Sequence, residues 1–295
     1  MKKIILLLFF VFIRSINGQE ALPKGFGVPF HTGMTNSQWY RPTWTQQNAI
    51  WKQIKEAYDS FINNLEYDSE PRIPKIIHQI WIGSPLPQKY ERLQQSWKEK
   101  HPDWEYILWT EKDIEEFGLT NKYWYDKTPN FAQKADIVRY EVLYRLGGVY
   151  IDMDFECLQS LDPFHHTCDF YTGIAQWWRF RLFNGLIGSM PGHPILKECI
   201  ESMNLDVKHH SDPRLNVTYT TGPEHLTRCF IQKISDNGKC IAFPSNYFYP
   251  WPWYRKHENK PQQIMRWIKP ESFAVHHWAE SWFNQPLLRK LLLIN

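Results

Sequence analysis

Asp152 and Asp154 stand one residue apart in the stretch GGVYIDMDFE, residues 147–156. Val149, Tyr150 and Ile151 ahead of them are β-branched or aromatic, and Gly147-Gly148 marks a break, so the run reads as a short strand. Residues i and i+2 of a strand project to one face. The two carboxylates therefore either share a face or splay from the turn that follows. Carboxylates held that close repel, and one stays protonated unless a cation sits beside them. Hard oxygen ligands suit Mg²⁺ or Mn²⁺, ions held by one or two carboxylates together with substrate phosphate. A solvated, Asp-rich turn is the plain alternative, because D-x-D is short and recurs by chance.

The elements that would position this pair follow from periodicity. Ile50, Ile54, Tyr58, Phe61 and Leu65 recur at helical spacing. KIIHQIWIG reads as a buried strand, KYERLQQSWKEK as a helix and WEYILWT as a second strand. NFAQKADIVRYEVLYRLGG is a longer helix with Ala132, Ala135, Val138, Val142, Leu143 and Leu146 on its buried face and Gly147 at its C-cap. Alternating strands and helices predict an α/β fold, a mostly parallel sheet covered on both faces. Ligands of open α/β sheets gather at the carboxyl ends of the strands, where Asp152, Asp154 and Trp81–Gly83 stand. Further helices are expected in HPILKECIESM and GPEHLTRCFIQKI, and residues 19–45 read as an extended, Pro- and Gly-punctuated lead-in.

The chain has 295 residues and 43% hydrophobic content, enough to bury a full core. Its formal charge of +3 is accounted for by Lys2, Lys3 and Arg14 near the start. The remainder is neutral, which argues against nucleic acid as a partner. MKKIILLLFFVFIRSING has the basic start and short apolar run of a signal peptide, with a retained membrane anchor as the alternative. Cleavage near Gly18 would give an exported chain, in a Golgi-like secretory lumen, secreted or periplasmic. Cys157, Cys168, Cys199, Cys229 and Cys240 show no zinc spacing; in an oxidising compartment they could form two disulfides and leave one thiol. Asn216-Val217-Thr218 is the one glycosylation sequon.

IPKIIHQIWIG, SWKEKHPDWEYILW, KADIVRYEVLYRLGGVYIDMDFECLQSLDPF, FNGLIGSMPGHP, TGPEHLTRCF and AVHHWAESW occur in that order. Together they resemble glycosyltransferase family 32, the DXD-containing sugar transferases, from about Ile73 to Trp282. The resemblance implies a GT-A fold: residues 71–285 as the catalytic domain, 19–70 as an N-terminal extension and 286–295 as a tail. It implies that Asp154 binds the divalent ion directly, while Asp152 contacts the ion through water, the ribose or the donor sugar. Trp81 matches the aromatic that stacks on the nucleotide base. Asp136 and Arg139 match a pair that grips donor-sugar hydroxyls; their i, i+3 spacing shares a helix face, and a surface ion pair is the alternative. Ala135 stands where relatives often carry serine. Tyr150 packs near the donor or in the core. Asn184 matches a donor-side amide, or is a turn Asn before Gly. His276 matches a late histidine that completes the metal or diphosphate site, with His277 as its rival, and Trp278 and Trp282 would close over the nucleotide. NYFYPWPWYRK, residues 246–256, reads as an acceptor platform.

The function implied is metal-dependent, retaining transfer of a hexose, using Mn²⁺ or Mg²⁺. The donor would be GDP-mannose, UDP-galactose, UDP-glucose or a UDP-N-acetylhexosamine, and the acceptor a glycan, lipid or protein. One rival is a haloacid-dehalogenase phosphatase, but Phe155-Glu156 follow the second acid where that motif places a small residue and threonine. The other rival is an inactive sugar- or nucleotide-binding module on the same fold.

Overall fold

The apolar run before the two aspartates becomes the third strand of a six-stranded sheet in the computed structural model, which describes residues 22–279 apart from 24, 177–178 and 235–238. The leader at 1–18, Trp282 and the tail at 286–295 lie outside the described residues. Helix α1 (Ala49–Asn63) is capped by the Asn48 side chain, which accepts from Ile50 N and Trp51 N. Strand β1 (Ile76–Ile80), helix α2 (Glu91–Lys100), β2 (Glu105–Trp109), helix α3 (Phe131–Leu146) and β3 (Gly148–Ile151) follow. Next come β4 (Phe155–Cys157), β5 (Phe170–Gln176) and β6 (Phe180–Ser189), then helices α4 (Pro194–Glu201), α5 (Pro213–Thr220) and α6 (Pro223–Lys233). Strands β7 (Cys240–Phe243) and β8 (Ala274–His276) are the last described.

The main sheet runs β2-β1-β3-β6-β5-β7, and β4 pairs with β8 in a separate two-stranded ribbon. Strand β1 is parallel to β2 and β3, and β5 to β7; β6 runs antiparallel to both neighbours. The sheet is thus mostly parallel with one reversed strand, the nucleotide-binding α/β layout that the GT-A resemblance implied. The β1-to-β2 and β2-to-β3 crossovers move in opposite directions, so right-handed connections put α2 and α3 on opposite faces.

Helix α3 departs from the single apolar face expected of it. Its centre is buried all round, Gln133, Asp136, Arg139 and Glu141 included, whereas Leu146 is exposed. The reason is packing: the sheet covers one side and α4 the other, so the polar residues are enclosed and must find partners. Gly147 and Gly148 both have positive φ, 68° and 94°, which turns the chain from helix directly into β3. A Cβ on Gly148 would lie 2.6 Å from Ile76 O.

Three other expectations change. The lead-in contains single helical turns, Phe30–Gly33 and Trp44–Gln47, and Phe30 and Met34 are buried because they pack beside α1. Residues 246–256 are mostly core instead of a platform. Tyr247, Phe248, Tyr249 and Trp251 are fully buried, and only Trp253 to Lys256 reach the surface. Prolines there prevent regular structure, but not burial of the rings. All five cysteines are buried, and among the described residues none is in a disulfide.

Candidate active site

Strand β3 ends at Ile151, and a tight turn carries Asp152, Met153 and Asp154 into β4. Asp152 N donates to Gly185 O of β6 at 2.8 Å, which anchors the turn. Strand β8 pairs antiparallel with β4, setting His276 opposite Phe155. Ligand atoms of Asp152, Asp154 and His276 consequently all lie within 4.8 Å of one another. His276 Nε2 is 3.0 Å from Asp154 Oδ1, and Ala279 N donates to Asp154 Oδ2 at 2.7 Å.

The two aspartates are electrostatically unlike. Burial pushes Asp152 up, against the pull of Arg139. Burial also opposes ionisation of Asp154, but the facing His276 and the Ala279 amide outweigh it and hold that carboxyl below its ordinary value. Environment alone separates two identical side chains.

Behind them α3 supplies Asp136 and Arg139. Arg139 Nη2 lies 3.1 Å from Asp136 Oδ1 and 3.3 Å from Asp152 Oδ1, and Nη1 donates to Asn184 O at 2.6 Å. The guanidinium lies 4.2 Å from the Tyr150 ring centroid, and Tyr150 Oη donates to Asp152 Oδ1 at 2.7 Å. Asp136 accepts from Asn184 Nδ2 at 2.8 Å and from Thr221 Oγ1 at 2.7 Å; burial raises its pKa despite Arg139. Asn184 is therefore a mid-strand residue of β6 aimed at α3, with no turn at that position. The Asp136–Arg139 pair is buried, which removes the surface-pair alternative.

Asp136, Arg139, Tyr150, Asp152, Asn184, Asp154 and His276 thus form one connected group. Trp81, just past β1, stands beside it: half-buried, it packs with Tyr90 at 5.2 Å and lies in the small cluster that includes Met153. His277 points elsewhere, its Nε2 2.9 Å from Glu156 Oε2. Trp278 is buried under His276, its Nε1 donating to Trp251 O at 2.8 Å, rather than standing as an open lid. Sequence reasoning missed Thr221 and Tyr249, whose ring lies 5.7 Å from His276. No local pattern marks Thr221, and Tyr249 stands out only as part of the aromatic segment 246–256.

His276 Nδ1 is buried without a hydrogen-bond partner. Two carboxylates and an imidazole with an unsatisfied ring nitrogen fit a divalent ion, and the carboxylates suit Mg²⁺ and Mn²⁺ alike. A second group, Cys199, His225 and Cys229, also clusters within 4.8 Å. It fits a cation poorly: His225 Nε2 is 2.8 Å from Cys199 O, and Arg228 donates to His225 Nδ1 at 2.6 Å.

Residues 87–171 match the profile of a family described as a glycosyltransferase sugar-binding region containing a DXD motif. An uncharacterized glycosyltransferase of Acanthamoeba polyphaga mimivirus is 34% identical over 247 residues, 76% of this chain and 89% of that protein. Inositol phosphoceramide mannosyltransferase 3 of Schizosaccharomyces pombe is 34% identical over 173 residues, 57% of this chain and 48% of the relative. The chain spans about half the length of such curated relatives. The catalytic domain of alpha-toxin from Clostridium novyi aligns over 84% of this chain and 87% of its own at 10% identity and a TM-score of 0.48, too low to add to the fold described above. With the D-x-D inside the matched region, and one glycosyltransferase relative matched over most of both proteins, the chain belongs to the DXD-containing glycosyltransferases.

Proposed function

We propose that residues 71–285 form a metal-dependent catalytic unit that moves a hexose from a nucleotide-sugar donor to a glycan or lipid acceptor, with retention of configuration. The observation that carries this reading is the meeting of the Asp152–Asp154–His276 donor set with the buried Asp136–Arg139–Asn184 network. The Schizosaccharomyces pombe relative is a mannosyltransferase by name, so mannose is the first hexose to test. An exported chain would do this in a secretory lumen.

Asp154, kept ionised by His276 and the Ala279 amide, offers a carboxylate oxygen at the site, and His276 offers its imidazole. A divalent ion held there supplies charge neutralisation for the departing diphosphate. Asp152 retains 30% side-chain exposure and is the carboxylate open to the donor. Arg139 is fixed by Asp136, Asp152 and the Asn184 carbonyl, so it presents positive charge without reorganising when the donor arrives. Asp136, with both oxygens already engaged, holds Arg139 and Asn184 in place for the sugar. Trp81 offers an indole face beside the turn for the nucleotide base.

The test offers purified protein GDP-mannose, UDP-galactose, UDP-glucose and a UDP-N-acetylhexosamine with Mn²⁺ and no acceptor. One donor should be slowly hydrolysed, because water replaces the acceptor once the sugar is positioned. Chelation should stop the reaction, and Asp136→Asn should cripple it while sparing nucleotide binding. Freed sugar of the donor's own α configuration supports retention, and inverted product overturns it. Absence of turnover on every donor, with glycan and lipid acceptors also supplied, would establish the binding module instead.

A further inference from the structure

Cys199 and Cys229 meet across the seam between α4 and α6. On α4 the buried stripe runs through Ile195, Leu196, Cys199 and Ile200; on α6 it runs through His225, Leu226, Cys229 and Phe230. Spacings of three and four residues put each cysteine on the face that its helix turns inward. The two sulfurs and His225 Nε2 all lie within 4.8 Å of one another. The imidazole is already committed. Arg228 donates to its Nδ1 at 2.6 Å, so Nε2 carries the hydrogen and donates to Cys199 O at 2.8 Å. The same Nε2 lies 3.9 Å from Cys229 Sγ, and Ser202 Oγ lies 3.6 Å from it. The other three thiols have other neighbours. Cys157 Sγ donates to Gln159 O at 3.3 Å, Cys168 Sγ lies 3.6 Å from Thr167 Oγ1, and Cys240 Sγ 3.3 Å from His193 Nε2.

We propose that Cys199 and Cys229 form a disulfide that clamps α6 to α4. The oxidant is itself a disulfide, either of a small thiol such as glutathione or of an oxidoreductase. Cys229 is the first nucleophile. Hydrogen bonds from Cys199 and His225 hold its thiol down to about 5, while burial pushes the Cys199 thiol up. The Cys229 thiolate attacks one sulfur of the oxidant, and the other sulfur leaves with its electron pair. Cys199 then attacks the Cys229 sulfur of that mixed disulfide and expels the second oxidant sulfur. Two cysteines thus lose two electrons, and each departing thiolate takes up one cysteine proton. Both cysteines are fully buried, so the exchange precedes the docking of α6 on α4, and the finished bond is shielded from reductants. It closes a loop of about 30 residues that contains Thr221, the donor to Asp136 Oδ2. Thr227 of α6 accepts from Leu182 N of β6 at 3.0 Å, so a clamp on α6 also steadies β6. Nothing in this bond depends on a donor, a metal or an acceptor.

The reduced, unfolded full chain is refolded in a mixture of oxidised and reduced glutathione, and separately in reductant alone. Each sample is acid-quenched, alkylated after unfolding and digested without reductant for mass spectrometry. The glutathione sample should yield Cys199 and Cys229 joined in one cross-linked pair of peptides, with Cys157, Cys168 and Cys240 alkylated. Its melting temperature should exceed that of the reductant sample by about 5 °C or more. In Cys199→Ala the two samples should melt alike, and Cys229 should carry a glutathione, the first step trapped. If refolding yields only aggregate, chain secreted by a eukaryotic host is digested in the same way. Recovery of both Cys199 and Cys229 as alkylated thiols, pairing of either with another cysteine, or equal melting of the two wild-type samples overturns the clamp.

Discussion

Asp154 is held from three directions: His276 faces one oxygen, the Ala279 amide the other, and its own carbonyl takes His277 N. Asn at this position keeps an acceptor for the Ala279 amide but loses the charge. Asp154→Asn should therefore leave the fold intact and lower donor turnover at least a hundredfold, about 2.7 kcal/mol. A folded variant keeping more than a tenth of the wild-type rate would remove Asp154 from the site. The aspartate pair was legible in the sequence because its two members are neighbours on one short strand end. His276 and His277 could not be told apart there, since adjacent strand residues point to opposite faces and only pairing with β4 decides which one faces Asp154. Thr221 lies 85 positions from the Asp136 it supports, a distance at which no periodicity speaks.

At the level of elements, α1 to α3 and the first three strands follow directly from apolar spacing and glycine punctuation. Strand β6 does not. Its Asn184-Gly185 pair has turn character, and the strand bulges there: residues 184–186 fall between Phe183, opposite Gly173, and Ile187, opposite Thr172, with Gly185 O accepting from Asp152 N. That same glycine sets the geometry of the site. A Cβ on Gly185 would meet Asp152 Oδ2 at 2.7 Å and the Phe155 ring at 3.3 Å. The carboxylate is the free end of a side chain and can move aside at little cost to stability, but not while keeping its place beside Arg139. Gly185→Ala should thus lower donor turnover at least tenfold with the melting temperature within a few degrees of wild type. Loss of folding together with activity would show instead that β6 cannot admit the methyl group. The aromatic segment 246–256 illustrates the opposite limit. Its composition suggested an exposed surface, and burial was settled by α1 and residues 25–34 covering it, contacts remote in sequence.

Across the whole molecule, burial keeps several histidines neutral. It lowers His78 to about 4, His165 to about 3 and His193 to about 4 from the ordinary 6.5. Below pH 6.5 the unfolded chain takes up protons at these rings, and the folded chain does not until near pH 4. The unfolded state then binds more protons, so stability falls as pH drops from 6.5 toward 4. For His193 the displacement is worth about 3 kcal/mol. His193→Asn keeps the cap on α4, where the ring Nδ1 accepts from Ile195 N, and removes the titration. Thermal melts across that window should show a shallower pH slope in the variant; an unchanged slope would clear His193 of any part in acid sensitivity. The thiols obey a different logic. Each of the five is enclosed by the finished core, so a mature molecule has no sulfur to offer to glutathione or to a disulfide isomerase. In oxidising surroundings Cys157, Cys168 and Cys240 are vulnerable chiefly in the interval before the sheet closes. For those three thiols, redox fate is then a race between folding and oxidation decided by relative rates, whereas the neighbouring Cys199 and Cys229 sulfurs stay within reach of each other in the folded molecule.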